Sequence, residues 1–159
     1  MGPLEIPDAD GIQRWLGQAG IEYYICDQCH GFHITALQSR EGVTDARLFI
    51  EEEGLLLSTE LELRPSSLFL VQADLGRLNM SFPTLKIFID INDETLPRLV
   101  GCDLLLTRHG VSYEQFEYFL QASIDASHML LDDCQQNDCL MGPEPVAGEE
   151  EAPLPPLIH

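Results

Sequence analysis

A chain of 159 residues, 45% of them hydrophobic, is long enough for one hydrophobic core and too short for two. Acidic residues outnumber basic residues by 27 to 8, which gives a formal charge of −19. A surface this negative repels nucleic-acid phosphates and anionic membranes, so the sequence argues against both as direct partners and favours a protein partner. Five cysteines, together with an N-terminus that lacks a secretory-signal pattern, predict reduced thiols and a cytoplasmic location.

The first half of the chain predicts one helix followed by two pairs of strands. Asp8 or Asp10 can cap the helix, and Gly20 can end it. The apolar face of this helix consists of Ile12, Trp15, Leu16 and Ala19. Segments 21–26 and 32–37 have β composition and flank a turn-rich connection. Segments 46–50 and 55–63 form a second predicted pair, and apolar and polar residues alternate along the second of them.

The second half predicts a helix, two strands and a long final helix. Pro65 suits the first turn of a helix that ends near Asn79. Strands are expected at 85–91 and from Leu99 to Thr107, and Ser112 with Gln115 forms a capping-box pattern that opens the last helix. This hairpin-rich order, without alternating strand and helix units, predicts an α+β fold. We expect an antiparallel sheet of about five to six strands with three helices on one side.

Composition changes near the end of the chain, where prolines and acidic residues accumulate without basic residues. Such a segment buries too little apolar surface to offset the entropy lost on ordering. The sequence therefore predicts a domain over residues 1–136 and an acidic, Pro/Glu-rich disordered tail over residues 137–159.

Several short strings resemble one known family in their order and spacing. They are Gln13–Leu16, Cys26–Cys29 with His33 downstream, Gly42–Ala46, Arg64–Ser66, Ala73–Leu75, Leu96–Cys102 and Gly110–Phe116. Over most of the chain they resemble the bacterial YbjN family of sensory-transduction regulators. The resemblance implies a fold like that of type III secretion chaperones, which are small acidic α+β proteins that commonly dimerise and hold a partner chain extended. It also implies a role in stress and motility regulation without enzymatic activity, although fold alone does not establish function.

The strongest chemical pattern in the sequence is Cys26-x-x-Cys29-His30-x-x-His33. Two thiols and two imidazoles on one predicted hairpin offer the ligand types that tetrahedral zinc prefers, so these four residues are the candidate metal ligands. The alternative is that Cys26 and Cys29 are small half-buried residues beside a turn, because the two ligand pairs are adjacent rather than separated by a longer loop. The position within a β-rich segment argues against a thioredoxin-like redox pair, but reversible oxidation stays open.

No catalytic pattern accompanies these residues. The sequence contains no G-x-S-x-G, no phosphate-binding glycine loop and no H-E-x-x-H, so no catalytic residue is predicted and the chain is not expected to be an enzyme. We expect a non-enzymatic cytoplasmic protein that binds a protein partner, either chaperone-like or regulatory, with a homodimer as one form of that contact. Tyr23, Tyr24 and Phe88 are the candidate partly exposed aromatic anchors. The alternative function is a metal- or redox-responsive switch built on the Cys26–His33 hairpin.

Overall fold

The structure is a computed structural model that describes residues 2–142. The remainder of the predicted tail, from residue 143 onward, lies outside the described residues. Within residues 2–142 there are six strands, four α-helices and a single 3₁₀ turn. In chain order they are α1 Ala9–Ala19, β1 Tyr23–Ile25, β2 Phe32–Ile34, α2 Thr35–Gln38, β3 Val43–Ile50, β4 Gly54–Glu62, the 3₁₀ turn Pro65–Ser67, α3 Leu68–Ser81, β5 Lys86–Asp90, β6 Arg98–Leu106 and α4 Tyr113–Gln136.

The six strands form one antiparallel sheet in the order β1-β2-β3-β4-β6-β5. The predicted α+β class and the predicted number of strands are therefore confirmed. Alternation along β4 sends Leu57, Thr59 and Leu61 to the buried side of the sheet, where α4 packs. The hydroxyl of Thr59 lies 3.4 Å from that of Ser127 on α4, which shows that helix and strand are in direct contact.

The close approach of α4 to the sheet depends on Gly101 in β6. A Cβ atom at this position would lie 2.9 Å from a side-chain methyl of Leu130, which is tighter than normal packing allows. Glycine stabilises a strand less than other residues do. Because glycine has no side chain, however, it leaves the space that the buried Leu130 side chain fills. The long final helix and the central strands pack directly on each other for this reason.

The helix boundaries confirm the capping signals in the sequence. Asp8 accepts a hydrogen bond from the backbone N–H of Gly11 at 2.8 Å, and Gly20 ends α1 with a φ of 69°. Ser112 and Gln115 form the predicted reciprocal capping box at the start of α4. No helix among residues 2–142 is both long and apolar enough to cross a lipid bilayer.

The structure differs from the prediction at two places. The predicted strand 32–37 ends at Ile34 and continues as the single helical turn α2, so there are four α-helices rather than three. The second difference is at the predicted tail, because residues 137–142 pack on the domain. Leu140 forms a β-bridge with Leu63 and is buried, and the carbonyl of Cys139 accepts a hydrogen bond from the N–H of Arg64 at 2.9 Å.

Candidate functional site

One face of the sheet carries no helix among residues 2–142, and we call it the uncovered face. Across β3, β4 and β6 the register aligns Phe49 with Leu56 and Leu56 with Leu104, and all three side chains point to this face. These three residues form what we call the apolar row. Leu104 is 43% exposed, and Leu106, two residues along β6, is 66% exposed. A sheet with six strands therefore presents an apolar strip to its surroundings.

The residues of the predicted metal hairpin lie at the edge of the same face. Cys26 and Cys29 lie in the connection between β1 and β2, and His33 lies in β2. His33 pairs in register with Tyr24 on one side and with Arg47 on the other, so the three side chains share the uncovered face. The ring of Tyr24 stacks on that of His33 with centroids 4.6 Å apart and planes 2° from parallel. This stacking limits the rotation of the imidazole.

Three of the four predicted ligands come together, and we call them the thiol–imidazole cluster: Cys26, Cys29 and His33. The Nε2 atom of His33 lies 3.1 Å from Cys29 Sγ and 3.3 Å from Cys26 Sγ. The three potential ligand atoms all lie within 4.8 Å of one another. His30 is exposed to solvent and lies outside this group.

The orientation of His33 is set by Gln38, which the sequence analysis did not single out. The amide oxygen of Gln38 accepts the N–H of Ala46 at 3.0 Å, and its NH₂ group donates to the carbonyl of Thr44 at 3.2 Å. These two hydrogen bonds to the backbone determine which atom of the Gln38 amide is the oxygen and which is the nitrogen. The same oxygen lies 3.0 Å from His33 Nδ1, so that nitrogen must carry a proton and donate. The other ring nitrogen, Nε2, faces the two sulfur atoms.

Asp45 and Arg47 complete the surroundings of the cluster and connect it to the apolar row. Asp45 Oδ1 lies 3.4 Å from His33 Nδ1, and Oδ2 forms an ion pair with Arg47 Nε at 2.6 Å. Oδ1 is buried and has no well-formed hydrogen bond among the described residues. The guanidinium of Arg47 also lies 4.6 Å from the ring centre of Phe49. Asp45 and Arg47 are two residues apart on β3, so their alternation in the sequence could have indicated that they share a face.

The electrostatics of the cluster favour a charged pair. A hydrogen bond from Cys26, followed by one from the N–H of Gly31, lowers the pKa of Cys29 to about 6. Burial acts to lower the pKa of His33, but hydrogen bonds with Gln38, Cys26 and Cys29 outweigh burial and raise the pKa to about 8. At neutral pH the cluster therefore combines a thiolate with a protonated imidazole.

A second surface feature lies between α3 and the end of α4. It is a groove of about 380 Å³ whose apolar lining includes Leu70, Val71 and Leu78. Arg77 spans its rim, donating to Asp74 at 2.7 Å and to Asp133 at 2.8 Å. Phe69 lies nearby on α3 and is 81% exposed. Among residues 2–142 the acidic and thiol groups of this groove form no cluster of three metal-binding side chains, so α3 provides a comparison surface for the uncovered face.

Comparison with known proteins gives a consistent result. The family model YbjN, described as "Putative bacterial sensory transduction regulator", matches residues 8–136. Proteins named "Uncharacterized protein YbjN" from Escherichia coli K12 and from Shigella flexneri are each 34% identical to this chain over 141 residues, which is 89% of both chains.

Solved structures agree with the sequence comparison. The crystal structure of E. coli YbjN, described as "a putative transcription regulator", matches with a TM-score of 0.84 and 34% identity, covering 88% of this chain and 99% of that one. An uncharacterized protein from Methanothermobacter thermautotrophicus matches with a TM-score of 0.50 and 10% identity, covering 80% and 96% of the two chains, which indicates a shared fold alone. On the family model, the sequence identity and the structural match together, the chain belongs to the YbjN family.

Proposed function

We propose that this protein is a non-enzymatic, cytoplasmic regulatory protein that binds an extended segment of another protein on the uncovered face. The observation that supports the proposal is the apolar row of Phe49, Leu56 and Leu104, continued by Leu106. The buried centre of a protein interface is more apolar than its rim, and a few side chains there supply most of the binding energy. The family description as a regulator agrees with a binding role.

The charge beside the apolar row specifies the chemistry of the partner. The β3–β4 connection carries Glu51, Glu52 and Glu53, all exposed, next to the end of the row that holds Phe49 and Leu56. A matching segment therefore has apolar side chains followed by lysine or arginine. The total charge of −19 also favours regulation through a protein rather than through direct contact with DNA.

A thiolate beside an imidazole is also the core of cysteine hydrolases, so the non-enzymatic part of the proposal needs an argument. In this protein the sulfur of Cys26 lies 3.3 Å from the same Nε2 atom that contacts Cys29. Two sulfurs around one nitrogen suit metal binding or dithiol chemistry, whereas a hydrolase needs a single thiolate beside an oxyanion site. The arrangement therefore favours binding over hydrolysis.

The proposal is tested by selecting peptides from a displayed random library on immobilised protein at moderate salt. We expect enrichment of peptides with apolar residues next to Lys or Arg. Leu104→Asp places a charge in the apolar row and is expected to weaken binding of an enriched peptide at least about tenfold. Phe69→Asp is the matched control, because it places the same charge on an exposed apolar residue of α3.

Three outcomes would overturn the proposal. One is no enrichment above bare resin. Another is binding that survives Leu104→Asp and disappears in Phe69→Asp, which would assign the peptide to the exposed side of α3. The third is a homodimer in light scattering that Leu104→Asp converts to a monomer, because the face would then be covered by a second copy. Circular dichroism and urea unfolding of both variants exclude loss of fold as the cause.

The second candidate function is a metal- or redox-responsive switch, and the convergence of Cys26 and Cys29 on His33 favours it. Arg47 joins this cluster to the apolar row, so a change at the cluster reaches the proposed binding face. In the redox form, hydrogen peroxide would take two electrons from the two thiols. The Sγ–Sγ bond of a disulfide would form and two water molecules would be released.

A further inference from the structure

We infer that Cys26, Cys29 and His33 bind one Zn²⁺ ion, with Gln38 and Asp45 holding the imidazole in position. The inference rests on the second candidate function and names its ligand. It does not depend on peptide binding at the uncovered face. Two thiolates and one imidazole nitrogen are ligands of the softness that Zn²⁺ prefers, and calcium and magnesium require oxygen ligands instead.

The distance from His33 Nε2 to each sulfur atom is close to that of an occupied site, and all three donor atoms lie within 4.8 Å of one another. Bonds of about 2.1 Å to nitrogen and 2.3 Å to sulfur at tetrahedral angles place these two donors roughly 3.6 Å apart. The observed separations between Nε2 and the two sulfurs are 3.1 and 3.3 Å. Each separation must widen by only a few tenths of an ångström to admit the ion. Cys26 and Cys29 lie on a connection outside the strands, so their side chains can make this adjustment.

The groups behind His33 match what metal-binding histidines use. A ligating imidazole almost always donates its other N–H to an oxygen, which fixes the tautomer and strengthens the ligand. Here Nδ1 faces Gln38 Oε1 at 3.0 Å and Asp45 Oδ1 at 3.4 Å. Asp45 Oδ1 is buried and lacks a well-formed hydrogen bond among residues 2–142. A small tilt of the imidazole toward a bound ion would let Nδ1–H donate a hydrogen bond to Asp45 Oδ1 as well as to Gln38.

Three protein ligands leave one tetrahedral position, and we assign it to water. His30 is exposed and lies outside the cluster. The half-buried positions of Cys26 and Cys29 leave the cluster accessible from solvent. Two thiolates balance the charge of Zn²⁺, and the guanidinium of Arg47 offsets the carboxylate of Asp45 at 2.6 Å. The bound site is therefore close to neutral.

The test uses the full chain, reduced and freed of metal by a chelator. Zn²⁺ is titrated against a chromophoric chelator, and Co²⁺ replaces it as a spectroscopic probe. We expect one ion per chain and a Co²⁺ spectrum with a thiolate charge-transfer band and the visible bands of a tetrahedral site. Free Zn²⁺ at 100 times its dissociation constant should lower the unfolding equilibrium constant about 100-fold.

The variants separate a built site from adventitious thiol binding. Cys26→Ser, Cys29→Ser and His33→Gln should each weaken Zn²⁺ binding at least about tenfold and change the Co²⁺ spectrum. Cys102→Ser is the matched control, because Cys102 is also half-buried and its side chain points to the same face. Asp45→Asn tests the positioning role, with an expected loss of about tenfold in affinity and an unchanged tetrahedral Co²⁺ spectrum.

The inference is overturned if the reduced protein binds neither ion, if binding survives both Cys26→Ser and Cys29→Ser, or if Cys102→Ser abolishes it. Circular dichroism of each metal-free variant shows whether the fold is kept. Peptide selection with metal-free protein then separates the two proposals, because the apolar row can bind a peptide whether or not the cluster binds zinc.

Discussion

Two pairs of neighbouring cysteines in this chain have contrasting surroundings. Cys26 and Cys29 lie on a strand connection, half-buried, beside the imidazole of His33. Cys134 and Cys139 lie at the end of α4 and just beyond it, and only 2% and 6% of their surfaces are exposed. The Cys139 thiol donates to the carbonyl of Cys134 at 3.3 Å rather than to a charged group. Two pairs of cysteines close in sequence thus have different surroundings: one is half-buried beside an imidazole and the other is buried in the core.

The acidity of the thiols follows from these surroundings. Hydrogen bonds from Cys26 and from the N–H of Gly31 lower the pKa of Cys29 to about 6. A hydrogen bond with Cys139, followed by burial, raises the pKa of Cys134 far above that of a free thiol, and the same hydrogen bond lowers the pKa of Cys139. The two pairs therefore differ in exposure and in the imidazole of His33, which lies beside only one of them and stabilises a thiolate there.

The largest expected difference between the pairs is in their rate of alkylation. At pH 7 and in the presence of a chelator, we expect iodoacetamide to modify Cys29 at least about a thousandfold faster than Cys134. Cys29 is largely a thiolate, whereas Cys134 reacts only after local opening of the fold. Peptide mass spectrometry over time measures both rates. Comparable alkylation rates for the two thiols in the folded protein would contradict the predicted difference in their surroundings. As a control, the two rates should become similar when the protein is unfolded in urea.

Stability gives the second difference. Cys134→Ser should lower the free energy of unfolding by about 1 to 3 kcal/mol, because it places a hydroxyl in an apolar environment. Cys26→Ser in the presence of a chelator should change this free energy by less than about 0.5 kcal/mol, as is usual for a partly exposed site. Urea unfolding at pH 7 checks both values. An equal loss in the two variants would show that Cys26 also belongs to the core.

Cys29 and His33 should contribute to stability with opposite pH dependence. The folded pKa of Cys29 lies below its unfolded value, so its contribution is full above about pH 9 and is lost as the pH falls toward 6. The folded pKa of His33 lies above its unfolded value, so its contribution is full below about pH 6.5 and is lost as the pH rises through 8.

The two corresponding variants should consequently respond to pH in opposite directions. Without metal, the stability lost in Cys29→Ser should grow from pH 6 to pH 9, and the stability lost in His33→Gln should shrink over the same range. Urea unfolding at pH 6, 7.5 and 9 measures both trends. Parallel trends in the two variants would contradict the assigned thiolate and imidazolium.

The smallest effect is expected at His30. His30→Ala should change the free energy of unfolding by less than about 0.5 kcal/mol and the affinity for Zn²⁺ by less than about twofold, because this imidazole is exposed and outside the cluster. Isothermal titration and urea unfolding provide the measurements. A tenfold loss of affinity would make His30 the fourth ligand in place of water.

Local signals in the sequence predicted most of the fold. The caps at Asp8 and Gly20, the capping box that starts at Ser112 and the alternation along β4 each depend on residues a few positions apart. The turn α2 was missed because four residues are too few to show a helical period. The predicted strand 85–91 was one residue too long at each end, since β5 spans Lys86–Asp90 and Ile91 lies beyond it and is exposed.

The sequence pattern indicated which side chains form the candidate site, but not which side chains position them. The spacing of Cys26, Cys29 and His33 placed them on one hairpin, and the structure brings them together. Gln38 and Asp45 meet His33 only because of the cross-strand register and the turn at α2, which are not encoded in short spacing. His30 was grouped with the ligands by sequence proximity, although His33 points to the uncovered face from within a strand and His30 precedes that strand.

The Gln38 side chain also closes part of the edge of β3. Strand β2 pairs with β3 only at Phe32 and His33, so the N–H of Ala46 and the carbonyl of Thr44 would otherwise be free on that edge. Free backbone groups on a strand edge are a template for pairing with another chain. By occupying both groups with one amide, Gln38 protects the protein against edge-to-edge aggregation at the same place where it orients His33.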